Sequence, residues 1–140
     1  MIKTTNLTRF ALDEKSFSQV AKKVLSGENK GGYTVSLAFV DKAEMKKINN
    51  KFRKKNKPTD VLSFELVEGK TLGEVIICPD VVKENAKKYG VTYQFELIKV
   101  FIHGILHILG YDHELSEKEE VRMFKKQDYY LSKIKWPKAI

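Results

Sequence analysis

Three histidines cluster near the C-terminal end of the sequence, and the 140 residues contain no others. The segment from 103 to 113 reads His-Gly-Ile-Leu-His-Ile-Leu-Gly-Tyr-Asp-His. His103 and His107 are four residues apart, so a helix would place both imidazoles on one face, one turn apart. Gly110 lets the chain leave such a helix sharply, and the following turn can bring His113 back to the same point. This spacing predicts a site in which His103, His107 and His113 bind one zinc ion.

The number of predicted ligands favours a catalytic role for that ion. Three protein ligands leave a fourth zinc position for water, whereas structural zinc sites usually have four protein ligands and are rich in cysteine. Cys78 is the only cysteine, so a closed structural site would need it or a carboxylate such as Asp112. We expect one zinc ion per chain in a catalytic site, with a structural site as the alternative. Imidazole also suits nickel and other divalent ions, so the spacing alone does not select zinc.

The residue after the first histidine restricts the type of hydrolysis. The histidine spacing equals that of the metzincin peptidases, His-Glu-x-x-His-x-x-Gly-x-x-His. Gly104 stands where those enzymes carry the glutamate general base. Because glycine cannot accept a proton from water, a conventional zinc peptidase is disfavoured and another base or mechanism is needed.

Hydrophobic periodicity and capping residues predict an alternation of strands and helices around the histidines. Strands are expected over residues 2–8, 33–40, 61–67 and 72–78, the last two as a hairpin. Helices are expected after the capping residues Asp13, Asp41, Asp80, Thr92 and Ser116. The helix that carries His103 is apolar on nearly every face, which is typical of a buried central helix. These elements predict an α+β fold (an α/β sandwich) with a mixed sheet of about four strands packed with about five helices, and the metal site at the end of the central helix.

The composition restricts the classes of protein to which the chain can belong. With 42% hydrophobic residues, residues 1–140 can form one domain with its own core, and a single cysteine excludes an internal disulfide framework. The first residues show no signal-peptide pattern, and no apolar stretch approaches the ~20 residues needed to span a bilayer. We therefore expect a soluble, cytoplasmic protein without a membrane partner. The net charge of +8 makes an anionic partner plausible, nucleic acid above all.

The histidine segment closely resembles the signature of the bacterial YbeY family, the ribosomal-RNA maturation endoribonucleases. Two further segments agree: Asn-Lys-Phe-Arg-Lys-Lys-Asn-Lys-Pro-Thr-Asp-Val-Leu-Ser-Phe over 50–64, and Leu-Gly-Glu-Val-Ile-Ile-Cys over 72–78. The chain departs from the family pattern at Phe52, where a tyrosine is common, and at Glu65, where a proline often follows Ser-Phe.

The resemblance implies a metal-dependent endoribonuclease specific for single-stranded RNA. It implies action in 3′-end maturation of small-subunit ribosomal RNA and in ribosome quality control, with the ribosome or ribosomal proteins as partners. The family's zinc ligands map onto His103, His107 and His113, and its functionally important arginine maps onto Arg53.

Given this resemblance, the basic segment before the third strand is expected to bind RNA. Seven cations lie within twelve residues: Lys46, Lys47, Lys51, Arg53, Lys54, Lys55 and Lys57. A guanidinium fork fits two phosphate oxygens, so Arg53 is expected to bind the scissile or an adjacent phosphate. Lys54, Lys55 and Lys57 would add attraction to RNA that does not depend on base sequence. The alternative for the lysines is a solvated helix face.

Several neighbouring residues have two interpretations each. Thr59, Asp60 and Ser63 could orient Arg53 or a histidine, or could simply form a local turn or cap. Asp112 could bind a ligand histidine or act as a weak general base, or could be a turn residue. The aromatic residues Phe52, Phe64 and Tyr111 could stack on unpaired bases, although core packing is the better interpretation for Phe64.

The mechanistic hypothesis combines the metal with Arg53. Zinc would act as a Lewis acid on the phosphate or lower the pKa of its water toward ~7, and Arg53 would neutralise the phosphate. The nucleophile could be that water or the ribose 2′-hydroxyl. Two rivals remain: a zinc peptidase without the usual glutamate base, and a non-catalytic zinc-containing ribosome assembly factor whose basic surface binds ribosomal RNA.

Overall fold

The computed structural model describes residues 2–112 and 114–134, in which strands and helices alternate as the capping pattern predicts. The strands are β1 (Lys3–Asn6), β2 (Thr34–Phe39), β3 (Val61–Glu68) and β4 (Thr71–Ile77). The helices are α1 (Glu14–Gly27), α2 (Lys42–Arg53), α3 (Pro79–Tyr89), α4 (Tyr93–Ile108) and α5 (Glu117–Ser132). His113 and residues 135–140 lie outside the described residues.

The four strands form one mixed sheet in the order β1-β2-β4-β3. β1 pairs with β2 and β2 pairs with β4 in parallel, whereas β3 and β4 pair antiparallel as the expected hairpin. Gly69 has a φ of 61° in the turn of this hairpin, a conformation that glycine adopts without strain. The prediction of an α+β fold with a mixed sheet is confirmed, and β3 is left at one edge of the sheet.

Both faces of the sheet are covered by apolar cores, because successive side chains along a strand point to opposite faces. On one face, Leu37 and Phe39 of β2 belong to the main core, which includes residues of α1 and α4. Phe17 of α1 joins these layers, with its ring 5.8 Å from that of Phe39 and 4.9 Å from that of Phe101, both edge-on. On the other face, a smaller core of Ala38, Val40, Leu62, Ile76 and Cys78 packs with Met45 of α2.

Four of the five predicted helix caps are confirmed. Asp13, Asp41, Thr92 and Ser116 each accept a hydrogen bond from the backbone N–H three residues ahead. Asp80 is not a cap: α3 begins at Pro79, Cys78 occupies the cap position, and Asp80 lies in the first turn. Proline at the start of a helix has the required φ and lacks only an N–H that would have no partner there, so the helix starts before the aspartate.

Helix α4 is the central helix of the fold, as its apolar composition predicts. It contacts α1, α3 and α5 as well as strands β3 and β4. Its buried residues include Phe101, Ile102, Ile105 and Leu106, so its C-terminal half, which carries two of the histidines, has a rigid setting. Within the described ranges, no helix combines the length and the apolarity that a bilayer crossing requires.

Candidate active site

An open cleft of about 280 Å³ lies beside the C-terminal half of α4. It is lined by Phe52, Arg53, Val61, Leu62, Ser63, Phe64, His103, His107, Asp112 and Glu114. These residues come from the end of α2, the first half of β3, α4 and the loop after α4. They meet because β3 packs against α4 at the edge of the sheet. Among the predicted site residues, Arg53, Ser63, His103, His107 and Asp112 therefore share one cleft.

The ring of His103 is held by a residue of the last helix. Its Nδ1 lies 2.9 Å from Oε1 of Gln127, whose side chain is only 3% exposed. With that oxygen as acceptor, Nδ1 carries the proton and the lone pair is on Nε2, the form in which a neutral imidazole binds a metal. His107 is exposed one turn later on the same helix and lines the same cleft.

Gln127 was not identified from the sequence, although one signal was present. It lies four residues after Met123 and three and four residues before Tyr130 and Leu131, all of which are buried on α5. A glutamine in that stripe needs a buried hydrogen-bond partner. The pattern thus marks Gln127 as a polar residue with a partner, but it does not say which one.

The third predicted ligand, His113, lies outside the described residues. Of the neighbouring residues, Asp112 accepts a hydrogen bond through Oδ1 from the N–H of Glu114 at 2.9 Å. Asp112 thus makes the contact expected of a turn residue, and it also lines the cleft. Over residues 2–112 and 114–134, no group of three or more His, Cys, Asp or Glu side chains is placed to hold a metal.

The partly buried carboxylate of Glu28 anchors the start of the loop after α4. Tyr111 donates a hydrogen bond of 2.6 Å to Oε1 of Glu28, and Tyr130 donates to the other oxygen. Lys126 Nζ lies 3.3 Å from the same carboxylate. Tyr111 is 6% exposed and its ring is covered by the guanidinium of Arg122 at 4.4 Å. The prediction that Tyr111 could stack on a base is therefore wrong, because the side chain is in the core.

This network makes the stability of the protein depend on pH. Burial alone would raise the pKa of Glu28, but the hydrogen bonds from Tyr111 and Tyr130, with Lys126, bring it below the ordinary 4.5. The network's contribution is therefore fully present above the unfolded-state pKa and is lost as the pH falls through the lower folded-state pKa.

We expect Glu28→Gln to reduce the free energy of unfolding by about 2 kcal/mol near neutral pH, because hydrogen bonds to a charged acceptor are lost. The deficit relative to wild type should shrink as the pH falls below 4.5 and through the lowered folded-state pKa of Glu28, because the carboxylate of the wild type is then protonated. Thermal unfolding of both proteins across this range measures the difference. Glu68→Gln, an exposed carboxylate of β3, serves as the control. A deficit that stayed constant with pH would contradict the assignment.

Gly104 faces the sheet rather than the cleft. A Cβ added to it would lie 2.8 Å from Cγ1 of Val75 and 3.0 Å from Oγ of Ser63. Ser63 Oγ also donates a hydrogen bond of 3.1 Å to the carbonyl oxygen of Gly104. The close approach of α4 to β3 and β4 thus requires glycine here. The position where metzincins carry a glutamate has no room for one in this fold, which counts against the peptidase alternative.

The packing at Gly104 predicts a cost for the smallest side chain. We expect Gly104→Ala to lower the free energy of unfolding by roughly 1–3 kcal/mol, the usual cost of overpacking a core. Denaturant unfolding measures it. Gly31→Ala is a matched control, since the nearest atom to its added Cβ is 3.8 Å away. Equal stability of the two variants would show that α4 does not approach the sheet this closely.

Arg53 ends α2 at the mouth of the cleft. Lys54 follows in a left-handed conformation with a φ of 56°, which stops the helix directly after the arginine. The Arg53 side chain is 43% exposed, and its Nη2 lies 3.5 Å from Oε1 of Glu114. The ion pair spans the cleft from α2 to the loop after α4. It is exposed and therefore weak, so an anionic ligand can displace Glu114.

The buried side chain of Asn49 holds the segment after Arg53, a role that the sequence did not predict. Asn49 is 2% exposed, and its Nδ2 donates a hydrogen bond of 2.8 Å to the carbonyl oxygen of Lys57. The predicted RNA-binding residues Lys54, Lys55 and Lys57 are exposed beside Arg53 and are not among the residues that line the cleft.

The remaining predicted residues make local contacts. Thr59 Oγ1 lies 3.3 Å from Oδ1 of Asp60, and that oxygen accepts a hydrogen bond from the N–H of Val61 at 2.8 Å. These contacts agree with the interpretation that Thr59 and Asp60 form a local turn or cap. Phe52 is 58% exposed at the rim of the cleft, where its ring lies 5.1 Å from that of Phe64.

The fold and the cleft define a mixed α+β protein with a histidine pair at the end of its central helix. A family model described as Endoribonuclease YbeY matches residues 3–135 of the chain. The chain therefore belongs to the YbeY family, as the resemblance of the histidine segment predicts.

Similar proteins of known name agree with this assignment. Endoribonuclease YbeY of Bdellovibrio bacteriovorus is 50% identical over 107 residues, which cover 76% of this chain and 71% of the relative. Endoribonuclease YbeY of Thermotoga maritima is 39% identical over 121 residues, covering 86% and 77% respectively. The solution structure of TM1509 from Thermotoga maritima matches with a TM-score of 0.71 and 36% identity, over 94% of this chain and 87% of that one.

Proposed function

We propose that this protein is a zinc-dependent endoribonuclease that cleaves single-stranded RNA. It would act in the cytoplasm, in 3′-end maturation of small-subunit ribosomal RNA and in ribosome quality control, with the ribosome or ribosomal proteins as partners. One observation carries the proposal: the imidazoles of His103 and His107 line the same cleft as the guanidinium of Arg53. The proteins similar to this chain that are named Endoribonuclease YbeY support the same activity.

The described residues fit a zinc ion in their chemistry. His103 is held by Gln127 through Nδ1, which leaves Nε2 as the nitrogen suited to a metal, and His107 adds a second imidazole. His113 would be the third ligand. When bound, zinc would supply Lewis acidity toward the phosphate or a more acidic water.

The protein's own residues bind and position the substrate. Arg53 would exchange its contact with Glu114 for two phosphate oxygens of the RNA. Gln127 keeps the His103 ring from rotating, and Ser63 ties the helix of the histidines to β3. Such preorganised groups stabilise charge that develops on a phosphate in the transition state. The nucleophile remains either water or the ribose 2′-hydroxyl.

The exposed ring of Phe52 favours single-stranded RNA as the substrate. An aromatic side chain beside a phosphate-binding arginine can stack on a base only when that base is unpaired. Base-paired RNA keeps its bases stacked within the helix, so it would reach the cleft with its phosphates alone. We therefore expect cleavage of single strands and little cleavage of a duplex of the same sequence.

The test combines metal analysis with cleavage. We expect purified protein to contain about one zinc per chain, and a chelator to abolish cleavage of a single-stranded RNA that added zinc restores. Undiminished cleavage after removal of all metal would contradict the zinc-dependent mechanism. A 2′,3′-cyclic phosphate product would exclude direct attack by water.

The same experiment separates the rival functions. Cleavage of an unfolded protein substrate, without cleavage of RNA, would support a peptidase. RNA binding without cleavage, together with unfolding when zinc is removed, would support a non-catalytic assembly factor with a structural metal.

A further inference from the structure

A second cleft of about 320 Å³ lies on the other side of His103. His103 and Val61 line both clefts, so the two spaces are neighbours. The residues that give the second cleft its chemistry are Asp60, Tyr89, Glu96, Lys99, Phe124 and Gln127. When one nucleotide of an RNA strand is bound in the first cleft, the base of the adjacent nucleotide can reach the second cleft.

The second cleft contains two acidic side chains, Glu96 and Asp60, and one lysine, Lys99. Glu96 lies on α4 with its side chain only 3% exposed, and its Oε1 is 3.5 Å from Nζ of Lys99. Burial raises the pKa of the Glu96 carboxyl above its ordinary value, Asp60 adds to the rise, and the ammonium of Lys99 opposes it. Asp60 adds a second acidic residue. Because carboxylate oxygens accept hydrogen bonds, these side chains suit a ligand group that donates them.

Aromatic side chains flank the same space. Tyr89 at the end of α3 is 55% exposed, and Phe124 of α5 is 38% exposed. The Phe124 ring lies 6.2 Å from that of His103, at the boundary between the two clefts, and Lys99 Nζ lies 5.5 Å from the Tyr89 ring. Exposed rings next to a lysine provide a stacking surface for an unpaired base.

We propose that the second cleft binds the base of a nucleotide next to the scissile phosphate and prefers bases that present an amino group. The Glu96 carboxylate would accept a hydrogen bond from the amino group of cytosine, as acidic side chains do in nucleic-acid recognition. Uracil has a carbonyl oxygen at that position, which repels a carboxylate. The inference rests on the proposed function, because it requires RNA to enter at His103.

The comparison of cytosine with uracil tests this directly. Fluorescence anisotropy would measure binding of 2′-O-methyl pentacytidylate and pentauridylate to the full-length, zinc-loaded protein, with a denaturing gel to verify that both stay intact. We expect the cytosine oligomer to bind about tenfold more tightly, the effect of one good base contact. In Glu96→Gln the preference should fall to near one, because an amide serves both bases.

Two further variants separate recognition from general effects. Glu84→Gln removes an exposed carboxylate of α3 that lines neither cleft, and it should keep the wild-type preference. Tyr89→Ala removes an exposed ring, so the fold should tolerate the change. Because stacking is lost, the variant should bind each oligomer about tenfold more weakly than wild type does.

Equal binding of the two oligomers by wild type, or an unchanged preference in folded Glu96→Gln, would overturn the inference. If Glu96→Gln does not fold, two other results test the inference: the preference of the wild type for the cytosine oligomer, and the weaker binding of both oligomers by Tyr89→Ala. The absence of either result overturns the inference. A protein that cleaves single-stranded RNA without any base preference would refute the second cleft alone. A protein that neither binds nor cleaves RNA would refute the proposed function as well.

Discussion

Replacing His107 by alanine is expected to lower kcat/KM for single-stranded RNA by at least about a thousandfold, because the loss of a zinc ligand exceeds the 10–100-fold cost of losing a supporting residue. The side chain is exposed, so its truncation leaves no cavity and the fold should remain intact. Zinc content per chain should fall in parallel with activity. Single-turnover cleavage, elemental analysis and thermal unfolding of the same preparation measure the three quantities.

Gln94→Ala is the matched control for this experiment, since Gln94 is an exposed residue of the same helix and lines neither cleft. Full zinc content and full activity in His107→Ala would refute the assignment of His107. His113→Ala adds a second test: loss of cleavage with an unchanged fold supports a catalytic zinc, whereas unfolding at ordinary temperature supports a structural one.

Arg53→Ala is expected to reduce kcat/KM by roughly a hundredfold, the cost of removing one preorganised charged donor from a reacting centre. Zinc content and stability should stay at wild-type values, because the ion pair of Arg53 with Glu114 is exposed. Arg53→Lys should recover only part of the loss, since an ammonium cannot bind two phosphate oxygens with a planar fork. Cleavage kinetics on one RNA substrate compare the three proteins.

Arg9→Ala is the matched control here, because Arg9 is an exposed arginine outside the cleft. Loss of net charge alone should weaken RNA binding slightly and equally in both alanine variants. If Arg53→Ala and Arg9→Ala cleaved RNA at the same rate, Arg53 would be one surface cation among many.

Local signals explain why so much of the fold could be predicted from the sequence. Four helices begin at a side chain that accepts a hydrogen bond from the N–H three residues later: Asp13, Asp41, Thr92 and Ser116. A few neighbouring residues therefore determine where each of these helices begins. The hairpin of β3 and β4 follows likewise from two apolar runs around a glycine turn. Asp80 failed as a cap because Pro79 supplied an earlier start that competed with it.

The contacts that complete the candidate site are not local, and no short pattern shows them. Gln127 meets His103 across 24 residues, and Glu28 meets Tyr111 across 83. The spacing of the histidines predicts their role, and the family resemblance predicts that of the arginine. The residues that hold them could not be predicted, because a glutamine or a glutamate gains such a role only when helices distant in sequence pack together. The second cleft could not be predicted for the same reason.

Helix α5 is synthesised after all the other described elements, and this order has a consequence for when the site is assembled. Gln127, Lys126 and Tyr130 all belong to it, so a nascent chain that ends before α5 lacks the partner of His103 and two partners of Glu28. Folding during translation proceeds from the N-terminus. The site is therefore complete only when α5 has packed, because until then the His103 ring lacks the hydrogen bond that orients it.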